Sequence, residues 1–220
     1  MTTLATTKST HLQTGGDPGY ARALIALVAW FFFTIWLGLS GALGSTGKPP
    51  VGLAAAIGIP LLVFALDARV GGPLSRAFAR IDLATLTALQ TFRVAGAFFL
   101  IAWSEGTLPG AFALPAGIGD IAVGLAAPLV ATAVAGRKRG HLTLAFIFNL
   151  AGIVDLVLAV SEGVTHSNSA LGFLAGPVTT DRLGHYPFSL IPTFFVPLAL
   201  ILHGFSLRAI ARGRRDGASA

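Results

Sequence analysis

Six apolar stretches, each close to twenty residues long, alternate with short polar gaps along this chain. Their lengths fit helices that cross a hydrocarbon layer about 30 Å thick. The pattern predicts helices near 22–43, 51–67, 81–104, 112–135, 142–162 and 187–208. Helices are required because a chain in lipid must satisfy its backbone hydrogen bonds internally. The first stretch carries Trp30, Phe31, Phe32, Phe33 and Trp36, bulky side chains expected to face lipid. Pro60 with Gly58, the run Leu114-Pro115-Ala116-Gly117, and Pro187, Pro192 and Pro197 mark three places where a helix is expected to kink or break.

The cations fix a sidedness. Lys8 and Arg22 precede the first stretch. Arg69, Arg76 and Arg80 lie in the second gap, Arg137, Lys138 and Arg139 in the fourth, and Arg208, Arg212, Arg214 and Arg215 follow the sixth stretch. These are twelve of the fifteen Lys and Arg residues, whereas the alternate gaps hold only Lys48 and Arg182. Loops rich in Lys and Arg stay in the cytoplasm, so the sequence reads as an all-α bundle of six transmembrane helices, N-in and C-in. Residues 1–20 read as a disordered cytoplasmic N-terminus, 21–210 as the transmembrane domain, and 211–220 as a basic tail, disordered past about residue 212. The first stretch is too long for a secretory signal and is expected to stay as an anchor in a bacterial inner membrane.

Composition agrees with that picture. Of 220 residues, 54% are hydrophobic and 11% charged, which leaves no room for a separate soluble domain. The net charge of +6 orients the helices and faces the bilayer, the expected partner. No basic run interleaves with aromatics, so nucleic acid is not a partner. The absence of cysteine removes thiolate chemistry. No cofactor is indicated: there is no Walker motif, no intramembrane lysine and no His/Glu cluster at metal spacing. Nothing in the sequence sets an oligomeric state.

Three ionisable residues fall inside the stretches: Arg93, Asp120 and Asp155. Counting 1.5 Å per residue puts Asp120 and Asp155 roughly 10–12 Å below the outer ends of their stretches and Arg93 deeper, near the midplane. The long Arg93 side chain, reaching toward the carboxylates, brings the three to a shared depth. An unpaired charge there costs about 2.5–3.5 kcal/mol on insertion scales, so the three are expected to pair inside the bundle. Gln90 supports Arg93 on a polar stripe that runs from Asp82 to Ser104, and Asn149 points to a different neighbour. One guanidinium with two aspartates falls one charge short of neutral, which a proton or a bound cation would correct. The repeat Ala116-Gly117-Ile118-Gly119-Asp120 and Ala151-Gly152-Ile153-Val154-Asp155 fits either an inverted transporter repeat or small residues that let helices approach.

Other chemistry is thinner. Glu105, Glu162 and His185 lie at the outer end as a candidate outer-face group. His141 and His203 read as interfacial residues at the cytoplasmic end. Gly38-Leu39-Ser40-Gly41 resembles the GxSG string of rhomboid proteases, but it ends the first stretch and stands at the opposite depth from His203, so no dyad forms. Three functional readings follow: a transport-type protein linked to an ion, a proton or a small-molecule ligand; an accessory or structural membrane subunit; and a membrane-embedded enzyme.

Overall fold

The computed structural model describes residues 18–218 and is all-helical, with no strand among the described residues. Helix α1 (Pro18–Ser40) is followed by α2 (Val51–Val70) and a short helix α3 (Pro73–Ala79). The third apolar stretch is divided into α4 (Leu83–Leu89), a 3-10 segment (Gln90–Gly96) and α5 (Ala97–Ser104). Then come α6 (Gly110–Ala135), α7 (His141–Thr165), a 3-10 turn (Thr180–Gly184), a π turn (Ile191–Phe195) and α8 (Val196–Ala218). Six helical spans are long and apolar enough to cross a membrane: Ala21–Ser40, Val51–Val70, Leu83–Ser104, Gly110–Ala135, His141–Thr165 and Ile191–Gly213.

The expected N-terminal tail lies outside the described residues, except for its last three, where α1 has already begun. At the other end the chain stays helical to Ala218, so the expected loss of structure past residue 212 is corrected. The run at Pro115 does not break α6. Pro115 is the sixth residue of the helix, inside it like Pro128, and each forfeits one i to i−4 hydrogen bond while the helix continues from Gly110 to Ala135.

The break comes instead in the third span. Asp82 caps α4: its side chain accepts from the Thr85 N–H at 2.9 Å and from the Thr85 hydroxyl at 2.7 Å. Those two bonds, the hydroxyl first, hold the Asp82 carboxyl below the usual aspartate range. From Gln90 the helix tightens to three residues per turn, which aligns Gln90, Arg93 and Gly96 on one buried line. Over seven residues the tighter winding shifts the helix phase by about 140° relative to an α-helix. The expected stripe from Asp82 through Arg93 to Ser104 therefore does not exist. Asp82 is exposed at its cap, and exposed Ser104 bonds back to the Ile101 carbonyl at 2.7 Å.

At the start of the last span the π turn accommodates two prolines. The Val196 N–H reaches back five residues to the Ile191 carbonyl, and Pro192 and Pro197 donate nothing. Pro187 stands before the helix rather than within it.

The 3-10 segment, α5, α6 and α7 pack together, and α8 closes them from the side. Phe99, Leu108, Phe112 and Leu183 form an apolar cluster at one end; Val123, Val130, Phe148 and Ile210 form another toward the other end. Outward-facing residues such as Leu125, Leu129, Ile147 and Phe98 are exposed apolar surface, as expected of helices in lipid. Helices α1 and α2, with Leu74 of α3, enclose a largely apolar groove of about 450 Å³ in which Thr34 is the one polar lining residue among the described residues.

The loop after α7 caps the first of these ends. Thr180 donates its hydroxyl to the Gly163 carbonyl at 2.5 Å, and Asn168 donates to both Asp181 carboxylate oxygens at 2.8 Å. It is tied to the α1–α2 connection by Gly47 N–H to the Asn168 carbonyl at 2.8 Å and Ala170 N–H to the Lys48 carbonyl at 3.0 Å. Leu171, Phe173 and Leu174 project outward from this cap.

Candidate functional site: a charged layer beneath a cleft

Between the two apolar clusters lies a charged layer. Arg93, on the buried line of the 3-10 segment, donates from Nε to Asp120 Oδ1 of α6 at 2.7 Å and from Nη2 to Asp155 Oδ2 of α7. Its Nη1 donates to the Gly152 carbonyl of α7 at 3.1 Å. The side chain of Arg93 is 1% exposed, those of Asp120 and Asp155 13% and 19%. All three guanidinium nitrogens are thus engaged, which is what a buried cation in a low-dielectric interior requires.

The Ala-Gly-Ile-x-Asp repeat makes this geometry possible. In each copy the aspartate turns toward the same guanidinium. A side chain at Gly119 would occupy the place of the Asp155 carboxylate, so α6 and α7 approach only because residue 119 has none. A Cβ at Gly152 would sit 2.5 Å from His203 Nε2 and 3.1 Å from Arg93 Nη1. Here the small residues serve close approach of helices.

Gln90 is buried and donates to the Ala199 carbonyl of α8 at 3.1 Å. Asn149, also buried, donates to the Ala145 carbonyl at 2.7 Å and meets His203 Nδ1 at 2.8 Å. His203 is a correction. It is not interfacial but 0% exposed, in the middle of the bundle beside Arg93. The last span runs from Ile191 to Gly213, later than the sequence pattern placed it, and so centres on Leu202. Gln90 Oε1, His203 Nε2 and Ser206 Oγ are buried without a hydrogen-bond partner. Each such atom costs about 1–3 kcal/mol if nothing fills it.

The outer-face candidates do not form a group. Glu162 is paired with His166, Nδ1 to Oε2 at 3.2 Å. His185 and Glu105 are exposed, and among the described residues no hydrogen bond or ion pair joins either to Glu162 or to the other.

A cleft of about 120 Å³ runs inward from the capped end. Ser45, Thr46, Ser167, Thr180, Asp181 and His185 line its mouth; Phe99, Phe112, Leu156, Val160, Ile191 and Val196 line its walls; and Asp120 stands on its surface. Asp155 does not line it. The cleft has room for several waters, and Asp120 is the group of the charged layer that a solute entering there meets.

Comparison with curated proteins and with solved structures finds no match. The family model for a domain of unknown function, DUF8737, matches residues 50–211, a stretch that omits α1 and contains Arg93, Asp120, Asp155, Asn149 and His203, and the chain belongs to that family.

Proposed function

We propose that this is a small multi-pass transport protein whose Arg93–Asp120–Asp155 layer takes up a proton or a small cation. The observation that carries the reading is the cleft: it leads from one end of the bundle to Asp120. Two carboxylates against one guanidinium hold one negative charge in excess, and a proton or a monovalent cation neutralises it. Polar groups at the mouth and apolar walls beneath them suit a path that admits a small solute and strips its water. The cation distribution orients the protein with both termini and the Arg137–Arg139 loop in the cytoplasm of a bacterial cell and the cleft facing outward.

A second reading is favoured by a different fact: Arg93 has all three nitrogens occupied by protein acceptors, as in a pair that serves only helix packing. The two are separated in liposomes. Purified protein with an internal pH dye is challenged with a pH gradient and with a gradient of sodium or potassium. Under the transport reading wild type dissipates a gradient, and Asp120→Asn, folded, does not. Wild type that passes neither protons nor cations, beside an Asp120→Leu variant that only melts early, leaves the packing role. Because the chain has no cysteine, single-cysteine labelling at 138 and 168 reports sidedness directly. Labelling of both positions from one side would overturn the orientation.

A further inference from the structure

On the far side of the charged layer from the cleft, five polar side chains are buried: Thr87 and Gln90 of the third span, Asn149 of α7, and His203 and Ser206 of α8. Hydrocarbon-embedded bundles retain such groups where they are hydrogen-bonded. Two of the five have every polar side-chain atom engaged. Thr87 donates to the Leu83 carbonyl at 2.7 Å, and Asn149 Nδ2 donates one of its two hydrogens to the Ala145 carbonyl while its oxygen, which can only accept, faces His203. The Asn149 oxygen is therefore the acceptor at His203, which puts the proton on Nδ1 and leaves Nε2 of the neutral ring with a bare lone pair.

That lone pair has no protein partner, and neither do Gln90 Oε1 and Ser206 Oγ. The three belong to one seam. Ala199, His203 and Ser206 recur at helical spacing on one face of α8, and Gln90 donates to the Ala199 carbonyl. His203 Nε2 and Arg93 Nη1 both border the space left by the missing side chain of Gly152. The seam thus begins at the charged layer and leads away from the cleft.

We infer that this seam holds internal water and that His203 is a second protonation site, coupled through that water to the Arg93–Asp120–Asp155 layer. The step moves one proton. A protonated Asp120 or Asp155 releases it to water, the water passes one to His203 Nε2, and a carboxylate and an imidazolium result with no net change of charge. The charged groups facing the imidazole are Arg93 from the 3-10 segment and, beyond it, Asp155 of α7 and Asp120 of α6. Helix α8 adds none at this depth, since Arg208 is exposed and lies over the Phe205 ring. The inference deepens the transport reading by supplying a route onward from the layer, and it rests on that reading only for the use made of the proton.

The test is solid-state NMR of full-length protein, ¹⁵N-labelled at histidine, in lipid bilayers. His203 signals are assigned by their loss in His203→Gln or, if that variant does not fold, by elimination with the other four histidines replaced in turn. The expected result is magnetisation transfer from water to the His203 ring, and a titration midpoint that moves by about one pH unit or more in Asp155→Asn or Asp120→Asn. A ring that receives nothing from water overturns the inference. So does a hydrated ring whose titration ignores both aspartate variants. Liposome flux is read separately: its absence in wild type counts against transport, while the NMR result still decides for His203.

Discussion

Replacing members of the charged layer should rank stability in an order set by stranded charge first and by unpartnered hydrogen-bond donors second. Arg93 is 1% exposed and its three nitrogens serve Asp120, Asp155 and the Gly152 carbonyl. Arg93→Gln leaves two carboxylates facing each other with no cation between them. Stranding a buried charge in this way costs about 3–5 kcal/mol. Asp120→Asn is different: its oxygen can still accept from Nε, and the remaining Arg93–Asp155 pair is neutral, so the loss should stay below about 1 kcal/mol. Asp120→Leu keeps the neutral pair but leaves the Arg93 Nε hydrogen unpartnered, a cost of about 1–3 kcal/mol. The expected order is therefore wild type, Asp120→Asn, Asp120→Leu, Arg93→Gln. Adding Asp155→Asn to Arg93→Gln should recover part of the loss, because one stranded charge has gone. Reversible unfolding in mixed micelles, followed by helical circular dichroism, gives these differences. Arg93→Gln no less stable than Asp120→Asn would refute the electrostatic account of the layer.

Gly152→Ala should cost about 1–3 kcal/mol by overpacking, since the new methyl would press on His203 and Arg93 together, whereas Gly58→Ala in α2, with open space around it, should cost nothing measurable in the same assay. Asp82→Ala should lose about 0.5–2 kcal/mol of cap stability at neutral pH, and Asp82→Asn much less. Because the Thr85 bonds hold the folded Asp82 carboxyl below the ordinary aspartate value of 3.8, its contribution is present above that pH and fades as pH falls through the folded value. The wild-type and Asp82→Ala stabilities should therefore converge in acid, and a gap that widens there would refute the assignment.

The apolar stretches were legible because about twenty consecutive, mostly apolar residues leave a signal that no local detail can erase, and each observed span lies within a few residues of its expected place. Depth counting set Arg93 a few residues deeper than two aspartates on other helices, and the reach of its side chain closed the difference. What the sequence hid were departures from 3.6 residues per turn. The 3-10 segment is invisible in an apolar run, so the face assigned to Asp82 and Ser104 was wrong although Gln90, three residues from Arg93, was placed well. His203 was missed for a related reason. A shift of a few residues in the last span moves a histidine from a membrane surface to the centre, and its chemistry changes with it. Pro115 misled in the opposite sense, since α6 runs through it and through Pro128 and loses one backbone hydrogen bond at each rather than ending.

The 3-10 segment also settles a matter of length. A residue rises about 2.0 Å in this winding against 1.5 Å in an α-helix, so seven residues extend the third span by about 3.5 Å. Its 22 residues then reach nearly as far as the 26 of α6 and the 25 of α7. The three elements that carry the charged layer thereby come close to a common height. The shortest of them gains reach without added residues, and the one cation it contributes stays level with both anions.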